Sequence, residues 1–173
     1  GNRKKYIIVP DTSHGTNPAS AATAGYETIT VKSDARGVMD IEQLRAAMSY
    51  PVNSVGARMD FELVTVREDV SLETVLRYLR RYDRLPDHTD QVFVVDRNDV
   101  LKGTLPLDRL LINEPEVMVE DVMQQEVMTL HALDDAGDAA QAFERYDLVS
   151  APVVDPHNRL IGRLTVAEVV DVI

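Results

Sequence analysis

The sequence predicts an α+β chain, a tandem pair of β-α-β-β-α repeats preceded by a shorter β-α-β-α segment. Three observations lead there. The last 110 residues contain one pattern twice. Each copy carries an apolar stripe at helical spacing between runs of β-branched residues. Charge and character both break near Ser49-Tyr50.

The duplication reads directly from the chain. At an offset of 64, Val64-Thr65-Val66 falls on Met128-Thr129-Leu130, and Arg81-Tyr82-Asp83 recurs as Arg145-Tyr146-Asp147. The first copy then has a five-residue insertion, Leu85-Pro86-Asp87-His88-Thr89, after which the offset is 59. There Val94-Val95-Asp96 matches Val153-Val154-Asp155, and Gly103 matches Gly162. Only two copies fit, which argues for a paired module and against a solenoid.

The opening segment predicts a strand at Tyr6 to Val9, a polar loop from Pro10 to Ala19, and a helix ended by Gly25. A second strand follows at Thr28 to Val31, and Asp40 is placed to cap another helix. In the first repeat Asp60 to Val66 is an extended stretch and Ser71 can cap a helix. Leu72, Val75, Leu76 and Leu79 form that helix's buried stripe. Val92–Val95 and Leu101–Leu105 form a hairpin around Arg97-Asn98-Asp99, and a short helix starts at Leu107. The second repeat follows the same plan, with Ala136, Ala139, Ala140 and Phe143 as the stripe. Its hairpin turns at Pro156-His157-Asn158, and its closing helix starts at Val166.

Composition removes several function classes. There is no Cys, hence no disulfide and no thiolate metal site. No apolar run approaches the roughly 20 residues that cross a bilayer, and no signal-peptide pattern opens the chain, so a cytoplasmic location is expected. Net charge is −11, but residues 1–49 carry six Lys/Arg against five Asp/Glu, so all the excess acid lies in residues 50–173. An acidic surface attracts cations and repels nucleic acid, and no nucleic-acid partner is expected. The four His residues show no zinc-type spacing.

The string Pro10-Asp11-Thr12-Ser13-His14-Gly15-Thr16-Asn17-Pro18-Ala19-Ser20-Ala21, continued by Val31-Lys32-Ser33-Asp34 and Gly37-Val38-Met39-Asp40, resembles decarboxylating glycine dehydrogenase. That enzyme is the pyridoxal-phosphate P-protein of the glycine cleavage system. The resemblance makes residues 1–49 a fragment of a pyridoxal-phosphate enzyme fold, with His14, Thr16 and Asn17 as the vestigial positions of interest. The family's Schiff-base lysine motif matches none of Lys4, Lys5 and Lys32, so no pyridoxal phosphate and no catalysis are expected. The chain reads as a chimera.

The repeat unit, with an apolar-Pro-Val-Val-Asp run before a turn and a glycine in its last strand, resembles the cystathionine-β-synthase (CBS) domain. The implied domains are the fragment 1–49, a first CBS domain 50–118 and a second 119–173. Several strings are similar to MgtE-type magnesium transporters. Among them are Val64-Thr65-Val66-Arg67-Glu68-Asp69-Val70, Arg145-Tyr146-Asp147-Leu148 and Thr165-Val166-Ala167-Glu168-Val169-Val170-Asp171. This implies a regulatory pair that associates as a homodimer through its CBS helices. It also implies a parent membrane pore domain as partner.

The resemblance also names a ligand set. Mg²⁺ is implied at Asp147, Glu168, Asp171 and Asp135, with Gly56 supplying a carbonyl contact. Gly137 departs from the family by standing where an acid can occur. Asp135 has a rival reading as a helix N-cap beside Asp134. Adenine nucleotides, ATP or AMP, are the second ligand class. The pattern there is a hydroxyl followed three residues later by an acid, which Thr165 and Glu168 approach and Pro106 and Arg109 do not. Thr165 with Glu168 equally reads as a capping box.

Overall fold

A computed structural model of the chain describes residues 6–10, 27–31 and 48–170. Two compact units divide at Ser49 and Tyr50. In the first, strands β1 (Tyr6–Pro10) and β2 (Glu27–Val31) pair in parallel, Tyr6 opposite Glu27 through Pro10 opposite Val31. Parallel neighbours require a crossover, as the β-α-β reading expects. The helices expected between and after them, and His14, Thr16 and Asn17, lie outside the described residues, as does Asp171.

The second unit contains the two repeats. The first comprises β3 (Thr65–Arg67), α2 (Leu72–Leu79), β4 (Gln91–Val95), β5 (Leu101–Pro106) and α3 (Leu107–Ile112). The second comprises β6 (Leu130–His131), α5 (Ala136–Tyr146), β7 (Ser150–Val154), β8 (Leu160–Thr165) and α6 (Val166–Val170). Each builds a three-stranded sheet, in order β3-β4-β5 and β6-β7-β8, whose first pair is parallel and second antiparallel. Two single-turn helices precede the repeats, α1 (Val55–Arg58) and α4 (Val119–Val122).

Local chemistry accounts for the element ends. Ser71 caps α2 by accepting from the Thr74 amide, and Leu72 and Val75 are its fully buried stripe residues. All four stripe residues of α5 are buried. The hairpin turns close on matching carboxylates. Asp96 Oδ1 accepts from Asn98 and Val100, and Asp155 Oδ1 accepts from His157 and Arg159. Asp99 and Asn158 hold the same left-handed backbone, φ 61° in both, a conformation Asp and Asn tolerate better than most residues.

Two features depart from the linear reading. The strand expected from Asp60 starts only at Thr65, because Asp60 bridges Arg163 of β8 instead of its own sheet. The lead-in segments are also exchanged. Val55 and Met59 belong to the core of the second repeat, with Leu130, Phe143, Val153 and Leu164. Val119, Val117, Val122 and Met123 pack with the first, against Val66, Leu72, Val94 and Leu105. The boundary at 118 and 119 thus divides the chain without dividing the cores. A third cluster of Phe93, Leu101 and Val154, flanked by Leu63 and Leu160, fills the seam between the repeats. The hairpins tie that seam, Leu101 N–H donating to the Asn158 carbonyl (2.9 Å) and Leu160 N–H to the Asp99 carbonyl (3.0 Å).

Candidate functional site

The acidic candidates lie at the two ends of α5 and at the start of α6. Asp135 is the N-cap of α5, its Oδ1 accepting from the amides of Gly137 (2.8 Å) and Asp138 (3.1 Å). That is the capping reading, and one carboxylate oxygen is committed to it. A side chain at Gly137 would bring Cβ to 2.9 Å from the same Oδ1, so the residue that replaces a possible acid also admits the cap. Gly56 lies in α1, buried under the Tyr50 ring, where a Cβ would sit 2.5 Å from Cγ. Segment 53–56 runs along residues 132–136. Val55 and Gly56 amides donate to the Asp134 and Ala132 carbonyls, and the Ala136 amide donates to Asn53. The fold therefore gathers Gly56 and Asp135 into one neighbourhood.

Asp147 ends α5 at its other terminus, exposed and left-handed at φ 52° and ψ 47°. A helix of this length separates Asp135 from Asp147 by roughly 18 Å along its axis, at about 1.5 Å per residue, so one ion cannot take both within a chain. Glu168 lies in the first turn of α6. Its Oε2 accepts from the Thr165 amide (2.8 Å) and from the buried Thr165 hydroxyl, while Thr165 Oγ1 accepts from the Ala167 amide (3.3 Å). This reciprocal box satisfies the helix start and engages both the hydroxyl and the acid of the nucleotide-type pair. Among the described residues no group of three or more His, Asp or Glu side chains converges as a metal cluster. None of their helices is long and apolar enough to cross a membrane.

The seam between the repeats holds polar groups that the sequence reading did not single out. Ser150 donates to Asp90 Oδ1 (2.6 Å), and Gln91 Nε2 reaches both Ser150 oxygens (3.2 and 3.3 Å). Arg163 and Asp60 form an ion pair with both side chains nearly sealed, 3% and 4% exposed. The available signal was an arginine in the middle of the apolar run Leu160-Ile161-Gly162-Arg163-Leu164. At the same position of the first repeat stands Thr104, fully buried with no hydrogen-bond partner for Oγ1.

Electrostatic perturbation is concentrated at the turns. The Asn98 amide holds the Asp96 carboxyl below the usual range, assisted by the Val100 amide. The amides of Arg159 and His157 act in the same way on Asp155. Just past the end of α2, the hydroxyl contact with Tyr78 (3.1 Å) pushes Tyr82 up to about 12.

Comparison with known proteins agrees with this architecture. The CBS domain model matches residues 52–114 and 119–173. The magnesium transporter MgtE of Thermus thermophilus is 34% identical over 131 residues, which are 76% of this chain and 29% of that protein. The chain thus spans under a third of the length of that relative. A crystal structure of the cytosolic domain of the Mg²⁺ channel MgtE in complex with ATP superposes with a TM-score of 0.72 at 34% identity. That superposition covers 76% of this chain and 53% of the other. The glycine dehydrogenase (decarboxylating) subunit 2 of Lysinibacillus sphaericus is 69% identical over 45 residues, 26% of this chain and 9% of that enzyme.

Proposed function

The chain belongs to the CBS domain family, and from that premise we propose that residues 50–173 are the Mg²⁺-sensing regulatory pair of an MgtE-type magnesium transporter. The observation that carries this reading is the tandem pair itself, matched over 76% of the chain by a magnesium-transporter cytosolic domain. Residues 1–49 form a glycine dehydrogenase-like fragment to which we assign no catalysis and no pyridoxal phosphate. The pair functions in the cytosol, beside the pore domain of its parent transporter.

Mg²⁺ is a hard cation that keeps most of its water and takes one or two carboxylates. The residues fit that demand in chemistry but not in number. Asp147 is exposed, Glu168 and Asp135 have each committed an oxygen to a helix start, and no described trio converges within one chain. The ion therefore bridges acids of this pair, Asp147 and Asp171 foremost, to a second surface, the two-fold mate being the first such surface. Carboxylates on apposed surfaces repel, and a bound cation favours the closed arrangement because only that form offers both sets of donors.

The test is thermal unfolding and sedimentation of the whole chain, with Mg²⁺ compared against NaCl of equal ionic strength. Stabilisation at ten times the dissociation constant is about 1.4 kcal/mol, and Asp147→Asn with Asp171→Asn should remove most of it. A midpoint indifferent to Mg²⁺ but raised by ATP would replace this reading with the nucleotide one. That alternative is favoured by the ATP complex of the related cytosolic domain.

A further inference from the structure

The Asp60 carboxylate, the inserted turn of the first repeat and Arg163 of β8 meet at one point away from the acids named above. Arg163 is 2% exposed, in the middle of β8. Its Nε and Nη2 donate to Asp60 Oδ2 at 3.2 and 3.0 Å. Nη2 also donates to the Asp87 carbonyl (2.6 Å), and Nη1 to the His88 carbonyl (3.0 Å). Four donations thus leave this side chain, two for a carboxylate on the exchanged lead-in that bridges β8 and two for carbonyls of the first repeat.

Both carbonyls belong to the insertion Leu85–Thr89, which the second repeat lacks. The pseudo-twofold counterpart of Arg163 is Thr104, whose hydroxyl has no partner. His88, within that insertion, holds a left-handed backbone at φ 58°. The asymmetry therefore has two parts: the second repeat lacks the inserted turn, and Thr104 supplies no guanidinium against it. Three converging acceptors of this kind are complementary to a planar cation that only donates. Burying them without one is costly.

We propose that Asp60 and the inserted turn form a guanidinium-binding recess between the repeats, and that Arg163 is its built-in occupant, keeping this side of the pair closed to external ligands. Thr165 lies two residues along β8 on the same face as Arg163, and its hydroxyl is already given to Glu168. The nucleotide-type pair and the recess beside it are thus both filled by the chain.

The test is chemical rescue in the full chain. Arg163→Ala should lower the thermal midpoint by several degrees. Millimolar methylguanidinium should raise the midpoint of the variant and leave the wild type unmoved, while methylammonium and NaCl do neither. Adding Asp60→Asn to the variant should abolish the rescue. If Arg163→Ala does not fold, refolding yield with methylguanidinium becomes the readout, and recovery supports the recess. No response of the variant, or an equal response of the wild type, overturns the proposal. AMP in place of methylguanidinium separates the two readings. Stabilisation of the variant alone makes Arg163 a block to nucleotide, and rescue by methylguanidinium without any AMP effect keeps the recess while withdrawing nucleotide from it.

Discussion

Gly103 and Gly162 occupy the same place in the two repeats, yet the structure predicts different costs for adding one methyl group. A Cβ on Gly103 would lie 2.2 Å from the Gln124 carbonyl oxygen and 3.1 Å from its carbon. That carbonyl is backbone, held by the Thr104 amide at 2.9 Å, with the return bond from Gln124 at 2.7 Å. Relieving the overlap means moving β5 off residue 124 by about an ångström, given that carbon contacts settle near ~3.5 Å. Overpacking of that kind costs about 1–3 kcal/mol, and each strained backbone bond adds up to ~1 kcal/mol. Stiffening the unfolded chain returns about 0.4–1 kcal/mol. Gly103→Ala should therefore destabilise by about 3 kcal/mol. At Gly162 the nearest atom, at 2.8 Å, is Sδ of Met59, with the Asp60 carbonyl oxygen at 3.1 Å. A methionine can turn aside, so Gly162→Ala should cost about 1 kcal/mol, at the low end of the overpacking range. Urea unfolding followed by circular dichroism, with midpoints compared at constant slope, measures both. Equal costs, or a larger one at Gly162, would refute the assignment of Gly103 to a backbone-on-backbone approach.

Other outcomes follow from the same contacts. Asp60→Ala leaves the Arg163 guanidinium buried without its counter-ion and should cost about 3–5 kcal/mol in urea unfolding. Replacing both partners should cost clearly less than the two single changes added together. Asp135→Ala should lose about 1 kcal/mol with the cap of α5, and Asp135→Asn should restore most of it. A Mg²⁺ response lost in the stable Asn variant would mark Asp135 as a ligand as well as a cap. Asp96 and Asp155 have folded-state pKa values below the usual carboxylate range. Their turns thus contribute stability that is complete above that range and lost as pH falls through the lowered values. Asp96→Asn with Asp155→Asn should flatten the acid limb of a pH–stability curve. An unchanged limb would deny the turns that role.

What could be read from sequence was what local physics decides. The stripes of α2 and α5, the Ser71 cap, the hairpin turns and the capping box at Thr165 each depend on residues within about one or two helical turns of each other. The candidate carboxylates were legible as residue types, but their engagement was not. Asp135 and Glu168 are drawn to helix amides because a helix start presents unpaired donors wherever it occurs. The exchange of lead-ins was invisible, since Val55 and Val119 are equally apolar and either core accepts them. Arg163 with Asp60 was invisible for a different reason. The partners are 103 positions apart, and only the polarity of Arg163 within an apolar strand marked it as needing one.

The departures from repeat symmetry bear on how a cation could act. Within the pair, the seam is joined by the Phe93, Leu101 and Val154 cluster, by reciprocal hairpin bonds and by the Arg163 contacts to the Asp87 and His88 carbonyls. Separating the repeats would break all three sets of contacts, and the last would strip the Asp87 and His88 carbonyls from the Arg163 guanidinium. Asp147, by contrast, is exposed at the end of α5, outside that seam. A cation that relieves repulsion at Asp147 thus meets a unit whose interior joints are already satisfied, and has little to rearrange inside it. Under the proposed function the response belongs between this pair and its second surface, with the pair moving as one body. Mg²⁺ should accordingly alter sedimentation and exposure at the ends of α5 before it alters amide exchange in β5 and β8. Magnesium-dependent loosening of the β5 and β8 amides would contradict that order.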